Sequence, residues 1–455
     1  MNTLRTICLL ACLLAAAYGR SSNSHRSNSL SNSLKPTEWL TISELESVPS
    51  VDQLSWNQLE DMSNIEGAIL INKLYHLSQI NYELTPDFVP SASDIPVTVM
   101  QANGENVTVP LNQFVATAKQ QPNFGCEEVT IFITGLPSQS KTVAKANQRL
   151  VQAYQKRYQQ GQQNQKNWQH YQQWQRQQWQ QEHGKNQRTS SEEDYSNSNE
   201  ENDKKCNNGD FVVIDLGATL SSWERLVMLD VDRTGAMIGK ALVQLTNQAD
   251  VPQEIIHIVA QGIGAHVAGV AARQFTRYTG HQLRRITALD PSKIYAKNDA
   301  TLTGLARGDA EFVDAIHTSA YGMGIPTRVG DVDFYPNGPH IAVPGTDNIV
   351  EASMRATRYF SESVVPGNGR NFPAVAASSL SEYKKNNGHG QRAYMGINAD
   401  FDLEGDYILE VNAQSPFGKA APAQKQNNYH GVHPTWNRND NSHSNSNKHN
   451  QDYDN

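Results

Sequence analysis

Short runs of β-branched and aromatic residues recur along the central part of this chain. Each is followed by a longer stretch in which apolar residues return every three or four positions. Strands are predicted at Val129–Thr134, Phe211–Leu216, Ile255–Ala260, Arg285–Asp290 and Phe312–Thr318, with a late one at Tyr407–Asn412. Helical stretches such as Ser222–Thr246 and Ala265–Thr279 lie between them. Largely apolar strands alternating with helices predict βαβ units and a mostly parallel central sheet, an α/β architecture. Upstream, Leu54, Leu59, Ile65, Ile69, Leu74, Leu77 and Ile80 recur three to six residues apart. They predict a helical segment from Lys35 to about Leu84 that packs on the main domain.

The flanks read differently. Met1–Arg5 is a basic start, Ile7–Ala17 an apolar core, and Ala17-Tyr18-Gly19 presents small residues where a signal peptidase reads. Residues 1–19 are therefore expected to be a cleaved signal peptide and the mature protein to be secreted. An N-terminal segment, 20–125, begins with disordered Ser-Asn-Ser-Leu repeats and then turns helical. The main domain spans 126–418, and an Asn/Ser/His/Asp-rich tail, 419–455, is expected to be disordered. Inside the domain, 151–208 is a Gln-rich and then acidic insertion carrying Trp168, Tyr171, Trp174 and Trp179. It buries too little apolar surface to order itself, so an exposed loop or an extended helix ending in disorder is predicted. Its Gln background and acidic sequel argue against nucleic-acid binding.

The chain has 455 residues and a formal charge of −8, so neither nucleic acid nor an anionic membrane is an expected partner. No later apolar run approaches the length needed to span a bilayer, and no membrane insertion is expected. Of four cysteines, Cys8 and Cys12 leave with the signal peptide. Cys126 and Cys206 each precede a predicted strand; parallel pairing of those strands would bring both to one sheet edge, as a disulfide or as two thiols. Asn106-Val107-Thr108 is the one N-x-S/T sequon, a glycosylation candidate in a secreted loop.

The stretch that bears most on chemistry is Ala260-Gln261-Gly262-Ile263-Gly264-Ala265-His266. A strand feeds it and a helix leaves it, with small residues at Ala260 and Gly264. This is the frame of an α/β-hydrolase nucleophile elbow, G-x-S-x-G, with glycine where the serine belongs. Asp290, at a strand end, is the candidate carboxylate, with capping of the Pro291 turn as its plainer role. His317 lies within an apolar strand and reads as a hydrogen-bonded core histidine; His266, in the first turn of the helix, would brace the elbow from behind. No Ser, Thr or Cys stands between Ile255 and Gln274 to replace the missing nucleophile.

Ile258–Gly269, Ala288–Ser292, Phe312–Thr318 and Gly330–Gly338 resemble the core motifs of the secreted pancreatic and lipoprotein lipases. That resemblance implies an α/β-hydrolase fold and puts Ser353, in Ser353-Met354-Arg355-Ala356-Thr357-Arg358-Tyr359-Phe360, at the catalytic histidine position. Of the implied triad positions Gly262, Asp290 and Ser353, only Asp290 keeps the family residue. Glycine cannot attack, and a serine hydroxyl is too weak a base to replace imidazole. Losing triad members costs a serine hydrolase roughly 10⁴–10⁶ in rate. The remaining oxyanion-like donors, the backbone amides at Leu136 and Ile263, would not restore turnover, so the protein is expected not to be an enzyme. The interval Pro339–Ala352 is too short for the family's disulfide-closed lid and has no cysteine. Of the family's calcium ligands only Asp309 is matched, the others falling on Thr301 and Ala306; neither bound metal nor any other cofactor is expected.

A closer resemblance, over nearly the whole mature chain, is to the yolk proteins, or vitellogenins, of higher flies. It rests on Lys35–Leu40, Leu74–Ile80, Arg188–Ser196, Tyr429–His433 and the Gln-rich insertion itself. It implies secretion into haemolymph, an oocyte endocytic receptor as partner and deposition in oocyte yolk granules as an embryonic nutrient reserve; separately, acidification in endosomes would charge many of the 14 histidines, so pH-driven self-association is expected. It also points, with the acidic context Glu192-Glu193-Asp194, to sulfation of Tyr195 and phosphorylation of Ser190 and Ser191. The alternative is a carrier, in which the residual lipase cleft holds a lipid or steroid conjugate.

Overall fold

The computed structural model describes residues 54–80, 85–100, 106–160, 209–296, 304–386 and 389–419. The signal peptide, residues 35–53 of the helical stretch, Ser190, Ser191, Tyr195, Cys206, Thr301 and the tail beyond 419 lie outside the described residues.

Among the described residues, eleven strands form one sheet: β1 Pro96–Met100, β2 Asn106–Pro110, β3 Val129–Ile133, β4 Asp210–Ile214, β5 Ile256–Gln261, β6 Arg285–Leu289, β7 Phe312–Ile316, β8 Val332–Pro336, β9 Pro373–Ala376, β10 Arg392–Tyr394 and β11 Gly405–Leu409. Their spatial order is β10-β9-β11-β8-β7-β6-β5-β3-β4-β1-β2. The run from β11 to β4 is parallel throughout, and the strands outside it pair antiparallel. One row of the register, Val212–Ile131–Ile258–Ile286–Val313, is apolar and buried from β4 to β7.

The helices are α1 Trp56–Asp61, α2 Asn64–Ile80, α3 Phe114–Gln120, α4 Lys141–Gln160, α5 Trp223–Val227, α6 Val231–Ala249, α7 Ile263–Thr279, α8 Ile349–Val364 and α9 Leu380–Lys385. The chain steps from β3 to β4 in one direction along the sheet and from β5 to β6 in the other. Right-handed crossovers therefore set α4 and α7 on opposite faces. α4 packs against α8, and α6 against α7. Among the described residues, no helix is long and apolar enough to cross a membrane.

Several predicted boundaries move. The main domain begins earlier than 126, because β1 pairs with β4 and so joins residues 96–125 to the same sheet. The insertion begins later than 151: Leu150, Ala153 and Tyr154 continue the buried stripe of α4, and Tyr154 stacks on Phe211 at 4.6 Å. The predicted helix Ser222–Thr246 is two helices, broken where the Asp230 carboxylate accepts from the Arg233 amide at 2.8 Å and starts α6 as its N-cap. In α2 the buried stripe is Ala68, Ile71 and Leu74, whereas Ile65 is exposed.

Candidate functional site

β5 ends at Gln261 and α7 starts at Ile263, so the whole reversal falls on Gly262, at φ 57° and ψ −125°. A residue with a side chain is strained there. Hydrogen bonds from Gly262 N to Leu289 O (3.0 Å) and from Ser292 N to Gly262 O (3.3 Å) pin the turn to the end of β6. Neighbouring backbone comes very close, since a Cβ on Gly135 would fall 1.9 Å from Gln261 O and 2.2 Å from Gly264 N. The backbone of a strand-to-helix elbow is intact. A Cβ on Gly262 would lie 3.1 Å from Leu136 Cγ, a tight contact that a shift of a few tenths of an ångström in Leu136 would relieve.

Leu136 and Ile263, the residues whose amides are expected as oxyanion-like donors, are buried, Leu136 fully and Ile263 at 2% exposure. Ile263 is the first residue of α7, where an amide has no partner inside the helix. The loop carrying Leu136 is tied to the loop after β4 through Asp215. This carboxylate accepts from Thr134 Oγ1 at 2.7 Å, from Ala218 N at 3.2 Å and from Ser138 Oγ.

Asp290 sits at φ 50° and is 1% exposed. Its carboxylate accepts from Thr318 N at 2.9 Å, from Ser319 N at 2.8 Å and from Ser319 Oγ. It thus caps the turn after β7 rather than its own Pro291 turn, a correction to the plainer role expected for it. Ser353 is buried on α8, and its carbonyl accepts from Thr318 Oγ1 at 3.2 Å. The fold therefore brings Gly262, Asp290 and Ser353 into one neighbourhood, with Thr318 bridging the last two. What joins them are backbone groups and the hydroxyls of Thr318 and Ser319, not a nucleophile–base pair.

His266 and His317 are both buried and hydrogen-bonded. His266 Nδ1 accepts from Leu305 N at 3.0 Å, and Nε2 meets Ser292 O at 2.7 Å, bracing the elbow helix from behind. His317 Nε2 lies 2.7 Å from Asp333 Oδ1, and its ring stacks on Tyr335. Asp309 is met by an internal cation: both its oxygens accept from Arg273 Nη1 at 2.7 and 2.6 Å, while Arg273 Nη2 donates to Gly304 O. Cys126 is disulfide-bonded. Asn106 is exposed at the start of edge strand β2 rather than in a loop, and its sequon Thr108 bonds across to Thr98 at 2.9 Å.

Sequence reasoning missed what covers this region. Helices α1 and α2 lie across the carboxyl ends of the strands, where open α/β sheets hold their ligands. Rings of Trp56, Trp223, Tyr295 and Tyr75 form a continuous chain, with centroids 5.2, 5.8 and 5.7 Å apart. Ser140 Oγ donates to Glu60 at 2.6 Å, Asn72 to Tyr321 O at 2.9 Å, and Asn64 N to Asp347 O at 3.1 Å. Beneath this cover, Lys293 is 2% exposed and donates to Gly324 O at 2.8 Å and to Gly322 O. Burial pulls its pKa down to about 7, partly opposed by the Asp290 charge. The apolar spacing of residues 54–80 could signal a packed helix; which surface it would cover was not readable.

The family model for Lipase matches residues 98–417. Vitellogenin-2 of Ceratitis capitata is 58% identical over 436 residues, 95% of this chain and 98% of its own. Vitellogenin-3 of Drosophila melanogaster is 54% identical over 443 residues, 96% of this chain and all of its own. Pancreatic triacylglycerol lipase of Cavia porcellus is 29% identical over 182 residues, 34% of this chain and 38% of its own.

Proposed function

The chain belongs to the lipase family and, within it, to the vitellogenins of flies; from that premise we propose that it is a secreted yolk storage protein without hydrolase activity. It is exported, captured by an oocyte endocytic receptor, held in yolk granules and degraded later as an embryonic nutrient reserve. The observation that carries the non-catalytic half is the elbow: its backbone reversal persists at Gly262, a residue with no side chain to attack. With Ser353 at the histidine position no base stands ready, and Asp290 is committed to the turn at Thr318 and Ser319. Helices α1 and α2 pack over the same strand ends through Glu60, Asn64 and Asn72, and no observation favours the carrier alternative.

Two measurements test this reading. Fluorescently labelled protein should accumulate in granules of vitellogenic oocytes, saturably and in competition with unlabelled protein; uptake no greater than that of albumin would overturn the storage reading. Fluorophosphonate probes should give no specific adduct, and a stoichiometric one would overturn the non-catalytic half.

A further inference from the structure

The α4–α8 pair carries an excess of positive charge that its neighbours offset only in part: Arg157 is ion-paired to Glu128 at 3.8 Å, and Glu351 acts on Arg358. α4 holds Lys141, Lys145, Arg149, Lys156 and Arg157 and no Asp or Glu. Lys141, Lys145, Arg149 and Lys156 fall on one exposed stripe, four, four and seven residues apart. α8, packed on α4, adds the buried Arg355 and the half-buried Arg358. Two carboxylates share that face of α8, yet both are engaged elsewhere. Glu351 accepts from Asp347 N at 3.1 Å, and Glu362 from Phe417 N at 2.7 Å and Gly418 N at 2.9 Å. Among the described residues, no ion pair includes Arg149, Arg355 or Arg358.

The geometry within the cluster is incomplete in a specific way. Arg355 is 4% exposed; one end of its guanidinium donates to Ala413 O at 3.1 Å and to Gly345 O, and it lies 4.6 Å from the Phe417 ring centroid. Its Nε–H is buried with no acceptor, and so is the Nε–H of Arg358. Buried charged donors without acceptors are costly and are retained where something completes them. Burial and the charges of Arg355 and Arg149 also lower the Arg358 pKa, against a smaller opposing effect of Glu351 and Tyr359. On a chain of net charge −8 this patch stands against the overall field.

We propose that Arg358 and Arg149, backed by Arg355, form a binding site for a tetrahedral oxyanion, phosphate or sulfate, either free or as a monoester. Planar guanidinium forks suit such oxygens in a way that single ammonium groups do not. The Lys141–Lys145 part of the stripe supplies attraction at longer range.

The test is calorimetric titration of the intact protein with inorganic phosphate and inorganic sulfate at constant ionic strength. Saturable one-to-one binding is expected, weakened about tenfold or more by Arg358→Gln and also weakened by Arg149→Gln. Lys240→Gln, an exposed lysine on α6, should leave it unchanged. Arg355 is left intact because it also holds Gly345 and Ala413. A second arm uses a synthetic peptide of residues 188–196 bearing phosphoserine at Ser190 and Ser191 or sulfate on Tyr195. Binding of the modified peptide tighter than the free anion would identify an ester as the ligand; equal or weaker binding would identify the free ion. The proposal is overturned by the absence of saturable binding in both arms, or by unchanged affinity in a folded Arg358→Gln variant.

Discussion

The two ends of the parallel strands treat buried polar groups in opposite ways. At the amino ends, Arg285 and Asp314 form a two-pronged ion pair at 2.8 and 2.9 Å, and Arg285 also donates to Ile397 O and Gly396 O. Thr287 Oγ1 donates to the same carboxylate at 2.7 Å and meets His257 Nε2 at 2.9 Å. His257 lies 3.9 Å from Glu128, but burial, reinforced by Arg285, drives its pKa well down, so the ring is neutral and the contact is not an ion pair. At the carboxyl ends, the polar positions a hydrolase would use are replaced by glycine and by serine or tied to backbone amides, and helices cover them. Polar groups at the amino ends persist because each completes the others. Those that remain at the carboxyl ends, Asp290 and Asp215, are held chiefly by amides and hydroxyls of neighbouring loops.

The contrast can be broken by experiment. Arg285→Met leaves the Asp314 carboxylate buried and unpaired, and should destabilise the protein by about 3–5 kcal/mol, measured by denaturant unfolding. A loss under about 1 kcal/mol would mean that the network is not structural. At the other end, Gly262→Ser should cost about 1–3 kcal/mol, because a side chain at this backbone conformation is strained and must shift Leu136. It should gain no fluorophosphonate reactivity. Labelling by that single variant would show that a base is still at hand.

A subtler difference lies in titration. Asp210, at the start of β4, accepts from Gly125 N at 2.7 Å, and burial raises its pKa to about 6. A folded pKa above the unfolded value means that the native state holds more protons between about 4 and 6. Stability from this group is therefore present below that window and is lost as pH rises through about 6. The wild type should gain on Asp210→Asn by about 2 kcal/mol between pH 7 and pH 4, read from paired unfolding midpoints. A pH-independent difference would remove the assignment. The smallest effect is expected under the cover, where Tyr321→Phe breaks a 3.1 Å bond to Asn64 and should cost about 0.5–1.5 kcal/mol. No loss would mean that this bond does not hold α2 in place.

Much of this molecule is written in local pattern. Apolar runs at Val129–Ile133, Ile256–Gln261 and Phe312–Ile316 are strands because such residues bury well on a pleated sheet flanked by helices. The elbow was readable because Ala260, Gly262 and Gly264 sit at fixed spacing around a strand–helix junction, and the lack of a nucleophile is a statement about composition alone. Secretion and the wider likeness to yolk proteins also rest on linear motifs. Tertiary structure decided the rest. That β1 and β2 extend the same sheet depends on a pairing with β4 more than a hundred residues away, which short-range periodicity does not encode. That Asp290 serves the turn at Thr318, that Arg273 meets Asp309, and that α1 and α2 pack over the crevice are all contacts between distant segments. A residue type sets what a side chain can bond to. Only the assembled chain sets which partner arrives first, and at Asp290 the backbone amides of a neighbouring turn already hold the carboxylate.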